Sequence, residues 1–547
     1  MTWFEKPTFA GLLDAAGARW GDREALCFDE RRWSFAEFSA ETERAARALA
    51  AAGVRPGDHV CFWLGSRPEH LFLIFAVAKI GAVLVPINTR FRARELAYIL
   101  TQSDGSTLIA DPGTGATDHL GLIAEAVPGL GGQNPRALAI ESLPALRRVI
   151  LLDDVPQPGC LDWAALLDEG AAVSTSEVAR RAAAVEPAAT AFIMYTSGTT
   201  GFPKGVMQTH GAVLRNVFDQ VNRLGVTPND VVLSYLPLFH AFSLYTATLM
   251  SPATGARQVL MRTFDAGTAL RLIAAERVTM IHGFDTHFKD LLDHPSRPTH
   301  DLSSLRTGLL AAGMHSSEPI ARRAQQLMRT VTGYGMTEIG ACATESFLDS
   351  DEEVRTTMSG WAQHGYEFKI IDPASRATLP PGEIGEICVR SYHVMQGYYH
   401  KPEETAAAID REGWFHTGDS GFLRADGCLR FMGRYKDMLK VGGENVDPTE
   451  VEAFLLADPR LSQVAVVGCP DQRLAEVPVA FVRPADGASL DEEELIRACR
   501  GRIASFKVPR RVFFVESLPM TGSGKVQKYL LREEAKRRVG GIQGGTP

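Results

Sequence analysis

The segment Tyr195–Gly205 reads YTSGTTGFPKG and includes the end of an apolar strand predicted over Ala191–Tyr195. Glycines in such a stretch let the backbone approach an anion closely, and successive N–H groups can surround the anion's oxygens. Serine and threonine hydroxyls add hydrogen bonds, and Lys204 adds a positive charge. The spacing of glycine and lysine does not fit the Walker A pattern. The segment therefore predicts a phosphate-binding loop of another kind at the end of a strand.

Outward from this loop, short apolar strands alternate with helical patterns. A helix is predicted over Ala40–Ala52, and a buried helix over Glu69–Lys79 leads into a buried strand over Ala82–Ile87. Further strands are predicted over His59–Leu64, Leu108–Asp111, Arg148–Leu152, Val231–Leu236, Gln258–Met261 and Thr279–His282. Strands separated by helices predict an α/β fold in which helices cover parallel sheets.

The pattern changes twice toward the C-terminus. Beyond Val354, strands with turn residues between them predict a β-rich subdomain, and they are expected over Gly360–Ile371, Gly385–Ser391 and Gly427–Met432. Beyond Arg434, Asp447 followed by Pro448 predicts a helix start, and Ser489–Glu492 predicts a capping box. Strands are expected over Gln463–Gly468 and Val477–Val482. The last part of the chain, about 110 residues, is long enough for a small α+β domain.

Composition and charge exclude a fibrous, a disordered and a disulfide-scaffold protein. The 547 residues are 45% apolar and 22% charged, which is typical of a folded globular chain. A net charge of −8 does not favour nucleic acid as a partner. The part from Arg434 onward is slightly basic, and its basic residues fit either a solvated helix face or a domain that approaches polyanions. No two of the eight cysteines are closer than 30 positions, which excludes a C-x-x-C zinc pair and predicts reduced thiols.

Neither the N-terminal residues nor the longest apolar stretch predicts a membrane segment. Met1–Ala10 carries Glu5 and Lys6 and lacks the apolar core of a signal peptide. The longest apolar stretch, Leu71–Ile87, is interrupted by Lys79 and is shorter than the roughly 20 residues that a span needs. We expect a cytoplasmic protein without integral membrane association, and a homodimer stays open.

Five further motifs follow the loop in order. They are LPLFHAF (Leu236–Phe242), TGYGMTE (Thr332–Glu338), WFHTGD (Trp414–Asp419), GRYKDMLKVGGENV (Gly433–Val446) and PMTGSGKVQK (Pro519–Lys528). Together with the loop they resemble the signatures of the adenylate-forming, or AMP-binding, superfamily, in its branch of acyl-CoA synthetases and fatty-acid–CoA ligases. The resemblance covers essentially the whole chain.

The resemblance implies a reaction in two halves. A carboxylate attacks the α-phosphate of Mg-ATP to give acyl-AMP and pyrophosphate, and the thiol of coenzyme A then gives acyl-CoA and AMP. It also implies a binding domain over residues 1–435 and a mobile lid domain over residues 436–547. The partners would be a small carboxylic acid, ATP and CoA, with Mg²⁺ as cofactor.

The resemblance assigns nucleotide-binding roles residue by residue. The ATP and AMP contacts would be Thr196, Ser197, Gly198, Thr199, Thr200, Gly201, Lys204, Gly313, Tyr334, Gly335, Met336, Thr337, Asp419, Arg434 and Lys525. Tyr334 would stack on adenine, Asp419 and Arg434 would bind ribose, and Glu338 would bind magnesium. The catalytic set would be Lys525, Thr199, Glu338 and His240. Lys525 would bridge the carboxylate and the α-phosphate, while His240 fits either a group beside the carboxylate or a structural histidine.

The resemblance also assigns the second half-reaction. Lys436 would be the hinge about which the small domain rotates, and Lys440, Gly442, Gly443 and Glu444 would then meet CoA. One departure is Ala311–His315, AAGMH, where the family has a small-residue segment with a proline. It leaves the local turn near Gly313 in doubt.

The acyl pocket is expected at His240, Leu244, Gly283, Gly335 and Gly340. Small and apolar residues there predict an acid with an apolar body, with a medium- or long-chain fatty acid favoured over an aryl acid. No carrier-protein sequence follows the small domain, which favours free CoA as the acceptor. Two further alternatives are an enzyme that passes its acyl-AMP to a carrier protein and a nonenzymatic binding relative, which the intact Lys525, Glu338 and Asp419 disfavour.

Overall fold

The computed structural model describes residues 3–114, 117–153, 155–196, 203–311, 314, 317–441, 444–471, 474–500, 502–503, 505–520 and 526–543. Most of the chain is built on two large, mainly parallel sheets. Smaller antiparallel sheets follow them, and a separate mixed sheet lies in the C-terminal residues. The α/β class predicted from the alternating pattern is confirmed, as are a large N-terminal and a small C-terminal domain.

The first large sheet carries the glycine-rich loop. Its eight strands are, in spatial order, Gly397–Tyr398, Lys204–Thr209, Thr190–Thr196, Val83–Pro86, His59–Trp63, Thr107–Ala110, Arg148–Leu151 and Leu161–Asp162. The strands on either side of the loop pair in antiparallel fashion, whereas the central strands are parallel. Central strands such as His59–Trp63 are almost wholly buried, because helices cover both faces of the sheet.

The second large sheet has seven strands. In spatial order they are Arg329–Val331, Thr307–Leu309, Met280–Ile281, Val231–Ser234, Arg257–Leu260, Glu24–Phe28 and Arg31–Ser34. Only the last pair is antiparallel. The carboxyl ends of its parallel strands lead into the segments that contain His240 and Gly283, which places these two predicted pocket residues on one edge of the sheet.

The β-rich part consists of two antiparallel sheets. One contains Gly333–Met336, Gly340–Glu345 and Trp361–Ala362, and the other contains Tyr366–Ile371, Gly385–Ser391, Phe415–Leu423 and Leu429–Arg434. The strand expected over Gly360–Ile371 is therefore two strands. Gly365, with φ +80°, lies between them in a conformation that favours glycine. A two-stranded ribbon, Gly113–Thr114 with Thr117–Asp118, lies earlier in the chain.

The C-terminal sheet has its own core. Its strands are Glu444–Val446, Leu439–Val441, Ala475–Pro484, Leu461–Asp471 and Arg511–Phe514. Two clusters of buried apolar side chains, one on each face, are drawn from these strands and their covering helices. The helix predicted to begin at Asp447 does so, and the Asp447 carboxylate accepts from the Thr449 N–H at 2.8 Å.

The capping box predicted at Ser489 is wrong. The N-cap is Asp491, two residues after Ser489, and the helix begins at Glu492. The Asp491 carboxylate accepts from the Glu494 N–H at 2.7 Å. Aspartate caps a helix as well as serine does, and here the Asp491 carboxylate rather than the Ser489 hydroxyl supplies the capping bond.

The helices cover the large sheets and both faces of the C-terminal sheet. The α-helices are Phe9–Trp20, Phe35–Ala51, Pro68–Lys79, Ala93–Gln102, His119–Ala126, Trp163–Gly170, Thr175–Ala184, His210–Leu224, Ala241–Ser243, Met250–Thr254, Ala266–Ala275, Asp285–Asp293, Glu318–Ala324, Glu352–Thr357, Pro402–Ala408, Pro448–Leu456, Glu492–Cys499 and Lys528–Gln543. A π-helical segment spans Leu244–Leu249, and 3₁₀ turns span Leu130–Gly132, Arg297–Thr299, Thr337–Ile339, Tyr435–Asp437 and Ser505–Lys507. Among the described residues, none of the helices combines the length and the apolar character needed to cross a bilayer.

Candidate active site

The strands on either side of the glycine-rich loop hold its two ends together. Thr196 ends one strand and Lys204 begins the next, and the two residues are paired directly across the antiparallel ladder. The Lys204 ammonium lies 4.7 Å from the centre of the Tyr398 ring, which places its charge beside the loop. Five predicted phosphate contacts lie outside the described residues, namely Ser197, Gly198, Thr199, Thr200 and Gly201.

Glu338 lies in the 3₁₀ turn Thr337–Ile339 and is 5% exposed. Its Oε1 accepts from the Tyr398 hydroxyl at 3.2 Å and from the Thr196 hydroxyl at 3.4 Å. Burial raises the pKa of the Glu338 carboxyl above its ordinary value. The predicted magnesium ligand is thus brought to the end of the strand that enters the loop, although the two segments are far apart in the chain.

The backbone around Glu338 is fixed by Gln208, on a neighbouring strand, and by Met395, in a connecting segment. The side-chain amide of Gln208 donates to the Thr337 carbonyl at 2.9 Å, and the Met395 N–H donates to the Glu338 carbonyl at 2.8 Å. These bonds leave the Glu338 carboxylate as the group of this turn that faces Thr196 and Tyr398. Tyr398 and Gln208 were missed in the sequence, because nothing in the spacing of either residue distinguishes it from a core position.

Tyr334, Asp419 and Arg434 form a second cluster. The Tyr334 hydroxyl donates to Oδ2 of Asp419 at 2.7 Å, and Nε of Arg434 lies 3.0 Å from Oδ1 of the same carboxylate. Asp419 and Arg434 are partners on adjacent antiparallel strands, which explains the close ion pair. Burial, and then the nearby Asp419 carboxylate, raise the pKa of Tyr334 well above its ordinary value, so the phenol remains a donor.

The Tyr334 ring packs against Phe431, with 5.3 Å between ring centroids and 31° between ring planes. Phe431 lies three residues before Arg434 on the same strand and was not singled out in the sequence. Together the two rings form an aromatic surface beside the Asp419 carboxylate. The Arg434 guanidinium also donates to the Thr417 carbonyl at 3.2 Å, which ties the two strands together at this point.

Close packing explains the glycines of the TGYGMTE segment and the residues after it. A Cβ at Gly335 would lie 2.4 Å from the Ala341 carbonyl oxygen, and Met336 pairs with Gly340 across the turn. Gly340 has φ +87°, and a Cβ there would lie 2.5 Å from Nδ1 of the buried His393. The glycines at 335 and 340 are therefore required by the fold of this turn, whatever else they contact.

Of the residues predicted for the acyl pocket, His240, Leu244 and Gly283 follow strands of the second large sheet, whereas Gly335 and Gly340 lie on the three-stranded sheet. His240 precedes the short helix Ala241–Ser243, and Leu244, which is 1% exposed, begins the π-helical segment. The Gly283 N–H donates to the Leu309 carbonyl at 2.9 Å, and a Cβ at Gly283 would lie 2.7 Å from the Tyr235 hydroxyl. The Phe242 and Phe284 rings meet edge to face with 5.4 Å between centroids. Phe242 lies between the predicted pocket residues His240 and Leu244, and Phe284 follows Gly283, but the contact of the two rings was not predicted.

The predicted C-terminal site residues fall mostly outside the described part of the chain. Lys525, Gly442 and Gly443 lie outside it, as do the side chains of Lys436, Lys440 and Glu444. Gly313, earlier in the chain, also lies outside the described residues. The base of the segment that contains Lys525 is described: Met520 and Val526 form an isolated antiparallel bridge. Three residues after Lys525, the Lys528 ammonium lies 2.6 Å from the buried Glu452 carboxylate.

The donors around Glu338 are all oxygens, namely one carboxylate and two hydroxyls. Such a set suits a hard cation that keeps several waters and needs few protein ligands, as Mg²⁺ does. The Asp419 carboxylate can accept hydrogen bonds from hydroxyl groups, and the ring pair Tyr334–Phe431 can receive a flat ring. The described geometry therefore fits a polyanionic ligand with a base and a sugar.

Comparison with known proteins agrees with this geometry. The AMP-binding enzyme family matches residues 13–399, and the AMP-binding enzyme C-terminal domain matches residues 450–525. The chain is 36% identical to the feruloyl-CoA synthase of an Amycolatopsis species, over 93% of this chain and 94% of that protein. It is 32% identical to the mitochondrial medium-chain acyl-CoA ligase ACSF2 of Danio rerio, over 98% of this chain and 89% of that protein.

Solved structures show the same relationship. The crystal structure of ATP-bound MatB from Rhodopseudomonas palustris matches with a TM-score of 0.82 and 28% sequence identity, covering 96% of this chain and 99% of that chain.

Proposed function

Because the chain belongs to the family of AMP-binding enzymes and is an AMP-forming acid–CoA ligase, we propose that its acid substrate is a medium- or long-chain fatty acid. The observation that carries the nucleotide part of this proposal is the Tyr334–Asp419–Arg434 cluster beside Glu338. It supplies an aromatic surface, two carboxylates and a cation in one place. The acid part rests on the apolar edge of the second large sheet.

In the first half-reaction, Asp419 accepts from the ribose hydroxyls and Arg434 fixes that carboxylate. Tyr334 covers one face of adenine, with Phe431 behind it. The loop from Thr196 to Lys204, with Ser197, Gly198, Thr199, Thr200 and Gly201, holds the β- and γ-phosphates, while Gly313 and residues 335–337 contact the nucleotide. The ends of the loop support this assignment, because Thr196, beside Glu338, is paired directly with Lys204.

Glu338 is the ligand we propose for Mg²⁺, with the Thr196 hydroxyl beside it. When bound, the ion offsets phosphate charge as carboxylate and α-phosphate approach each other. The burial of the Glu338 carboxylate and its oxygen-only surroundings support this role.

Lys525 places an ammonium where the carboxylate attacks the α-phosphate, and it acts through charge and position. The Met520–Val526 bridge and the Lys528–Glu452 ion pair support this proposal, because they fix both sides of the base of its segment. Removing one preorganised contact of this kind costs on the order of 10²–10³ in rate. His240 either borders the carboxylate or has a structural role.

In the second half-reaction, residues 436–547 rotate as a lid on the binding body, residues 1–435, with Lys436 as the hinge. The rotation withdraws Lys525 and brings the segment that contains Lys440, Gly442, Gly443 and Glu444 to the acyl-AMP, where the thiol of CoA attacks. The separate apolar cores of the C-terminal sheet support a lid that moves as a unit.

The acyl chain lies among His240, Leu244, Gly283, Gly335 and Gly340. An aryl acid is the second candidate, and the edge-to-face pair of Phe242 and Phe284 favours it, because such a pair can receive a third ring. The chain is similar both to a medium-chain acyl-CoA ligase and to a feruloyl-CoA synthase, so these relatives support both candidates.

The deciding experiment is a panel of fatty acids of increasing chain length and of benzoic and cinnamic acids, assayed for CoA-dependent AMP and acyl-CoA formation. The proposal expects the highest kcat/KM with a fatty acid. A cinnamic or benzoic acid ahead of every fatty acid would replace it with the aryl candidate. AMP-linked product that stops at acyl-AMP in the presence of CoA would indicate a carrier protein as the natural acceptor.

A further inference from the structure

Three metal-ligating side chains meet on the sheet that carries Asp419, outside the proposed nucleotide site. Glu386 and Cys388 lie two positions apart on the strand Gly385–Ser391, so they point to the same face. His416, on the neighbouring strand Phe415–Leu423, is the direct antiparallel partner of Cys388. One carboxylate, one thiol and one imidazole are thus placed together by the strand register alone.

The three donor atoms lie within 4.8 Å of one another, and two of their separations are close to those in a zinc coordination shell. Sγ of Cys388 lies 3.4 Å from Nδ1 of His416, and that nitrogen lies 3.6 Å from Oε2 of Glu386. Tetrahedral zinc, with bonds of roughly 2.3 Å to sulfur and 2.0–2.1 Å to nitrogen or oxygen, separates its ligand atoms by about 3.4–3.5 Å. A cation can therefore be placed among the three atoms with little movement of the backbone.

The histidine is oriented as a metal ligand. Nε2 of His416 lies 3.3 Å from Oδ2 of Asp410, and the other oxygen of that carboxylate accepts from the Trp414 N–H at 2.9 Å. A carboxylate on one ring nitrogen fixes the tautomer and leaves the lone pair on the other nitrogen, as in carboxylate–histidine–metal arrangements. Here that nitrogen is Nδ1, which lies within 3.6 Å of both Cys388 Sγ and Glu386 Oε2.

A positive charge already lies close to this position. Nη1 of Arg376 donates to Nδ1 of His416 at 2.8 Å and lies 3.7 Å from Oε2 of Glu386. The Arg376 side chain is 60% exposed, so it can swing into solvent when another cation arrives. The nearby Lys369 ammonium lies instead against the Trp414 ring, 4.4 Å from its centre.

We propose that Glu386, Cys388 and His416 bind a borderline-soft divalent cation of the Zn²⁺ type, with Asp410 orienting the histidine. The cation displaces the Arg376 guanidinium, Cys388 binds as thiolate, and its proton leaves to solvent. Water supplies the fourth ligand. The other oxygen of Glu386 accepts from the Gly418 N–H at 3.1 Å, so the site adjoins the residue before Asp419.

Among the described residues one other trio could bind such a cation, Glu24, Cys27 and Glu276. Both of its carboxylates are already held by arginines: Arg257 lies 2.9 Å from Glu24 and 2.8 Å from Glu276. This trio therefore provides the matched control for the thiol.

The test is a titration of the full-length, tag-free, reduced protein with Co²⁺ alone, followed by the thiolate-to-cobalt absorption band, with Zn²⁺ competition. One equivalent is expected to give the band, Zn²⁺ to abolish it, Cys388→Ser to lack it and Cys27→Ser to keep it. Asp410→Asn is expected to weaken binding about 10–100-fold. Absence of a band in the wild-type protein, or its loss in Cys27→Ser but not in Cys388→Ser, overturns the proposal.

A second variant keeps the proposal testable if Cys388→Ser does not fold. Arg376→Asn removes the competing guanidinium from an exposed position with φ +63°, a conformation that asparagine accepts. It is expected to bind Co²⁺ and Zn²⁺ more tightly than the wild-type protein. Unchanged or weaker affinity in this variant counts against a cation site beside Arg376.

Discussion

Nε of Arg434 lies 3.0 Å from Oδ1 of Asp419, and the two residues are direct partners on adjacent antiparallel strands. Oδ2 of the same carboxylate accepts from the Tyr334 hydroxyl. Asp419 is 3% exposed, and these two neighbours stabilise its charge in a buried position. The carboxylate on which ribose binding is proposed to depend is thus fixed before any ligand arrives.

Asp419→Asn tests this arrangement. The amide keeps the shape but loses the charge that Arg434 and the ribose hydroxyls need. Hydrogen bonds to a charged group contribute about 1.5–3 kcal/mol, so kcat/KM for ATP is expected to fall about 10- to 100-fold or more. Pyrophosphate release at varied ATP measures the loss. Asp426→Asn, at an exposed turn on the same sheet, is the control and should leave kcat/KM unchanged. Equal losses in the two variants would contradict the ribose role.

Part of this site could be read from the sequence because its residues are neighbours along the chain. Thr196 and Lys204 flank one loop, and the strand before the loop was predicted, whereas the strand Lys204–Thr209 and its pairing were not. Long-range relationships could not be read in this way. The Tyr334–Asp419 bond joins residues 85 positions apart, and it depends on how two small antiparallel sheets pack.

The metal-ligand cluster shows the same limit. Cysteine spacing excluded a C-x-x-C pair, but Cys388 and His416 are brought together by cross-strand register rather than by spacing. Register depends on the turns and bulges between strands, including the irregularity between Glu386 and Cys388, which no composition pattern encodes. The sequence also did not reveal that the strand expected over Gly360–Ile371 is two strands, because a single glycine, Gly365, divides an apparently continuous pattern.

Lys525→Ala separates the two half-reactions. Loss of the ammonium is expected to lower acyl-AMP formation about 10²–10³-fold, because the carboxylate then meets the α-phosphate without a compensating charge. Conversion of supplied acyl-AMP to acyl-CoA should be largely retained, because Lys525 is withdrawn in that step. Lys536→Ala, an exposed lysine on the following helix, is the matched control. If both half-reactions fall equally, Lys525 is not specific to adenylation.

Lys436→Pro is expected to produce the opposite pattern. Lys436 lies in the 3₁₀ turn Tyr435–Asp437, between the last strand of the β-rich part and the first strand of the C-terminal sheet. Proline fixes φ near −65°, which hinders rotation at this position. Acyl-AMP formation should continue while thiolysis of supplied acyl-AMP slows, as single-turnover assays can show. Thiolysis at the wild-type rate would place the pivot elsewhere.

Glu345 predicts how stability depends on pH. The carboxyl is fully buried, accepts from the Gln363 amide at 2.8 Å, and burial raises its pKa to about 8. The folded state therefore keeps a proton that the unfolded state releases above its lower pKa, so this contribution to stability is lost as pH rises toward 8. A single group of this kind changes the free energy of unfolding by up to about 1.4 kcal/mol per pH unit.

Glu345→Gln mimics the protonated form, so its Tm should fall less than the wild-type Tm between mildly acidic and mildly alkaline pH. Glu383→Gln, at an exposed position, should follow the wild-type curve. Parallel Tm curves for the wild-type protein and Glu345→Gln would show that Glu345 ionises normally in the folded state.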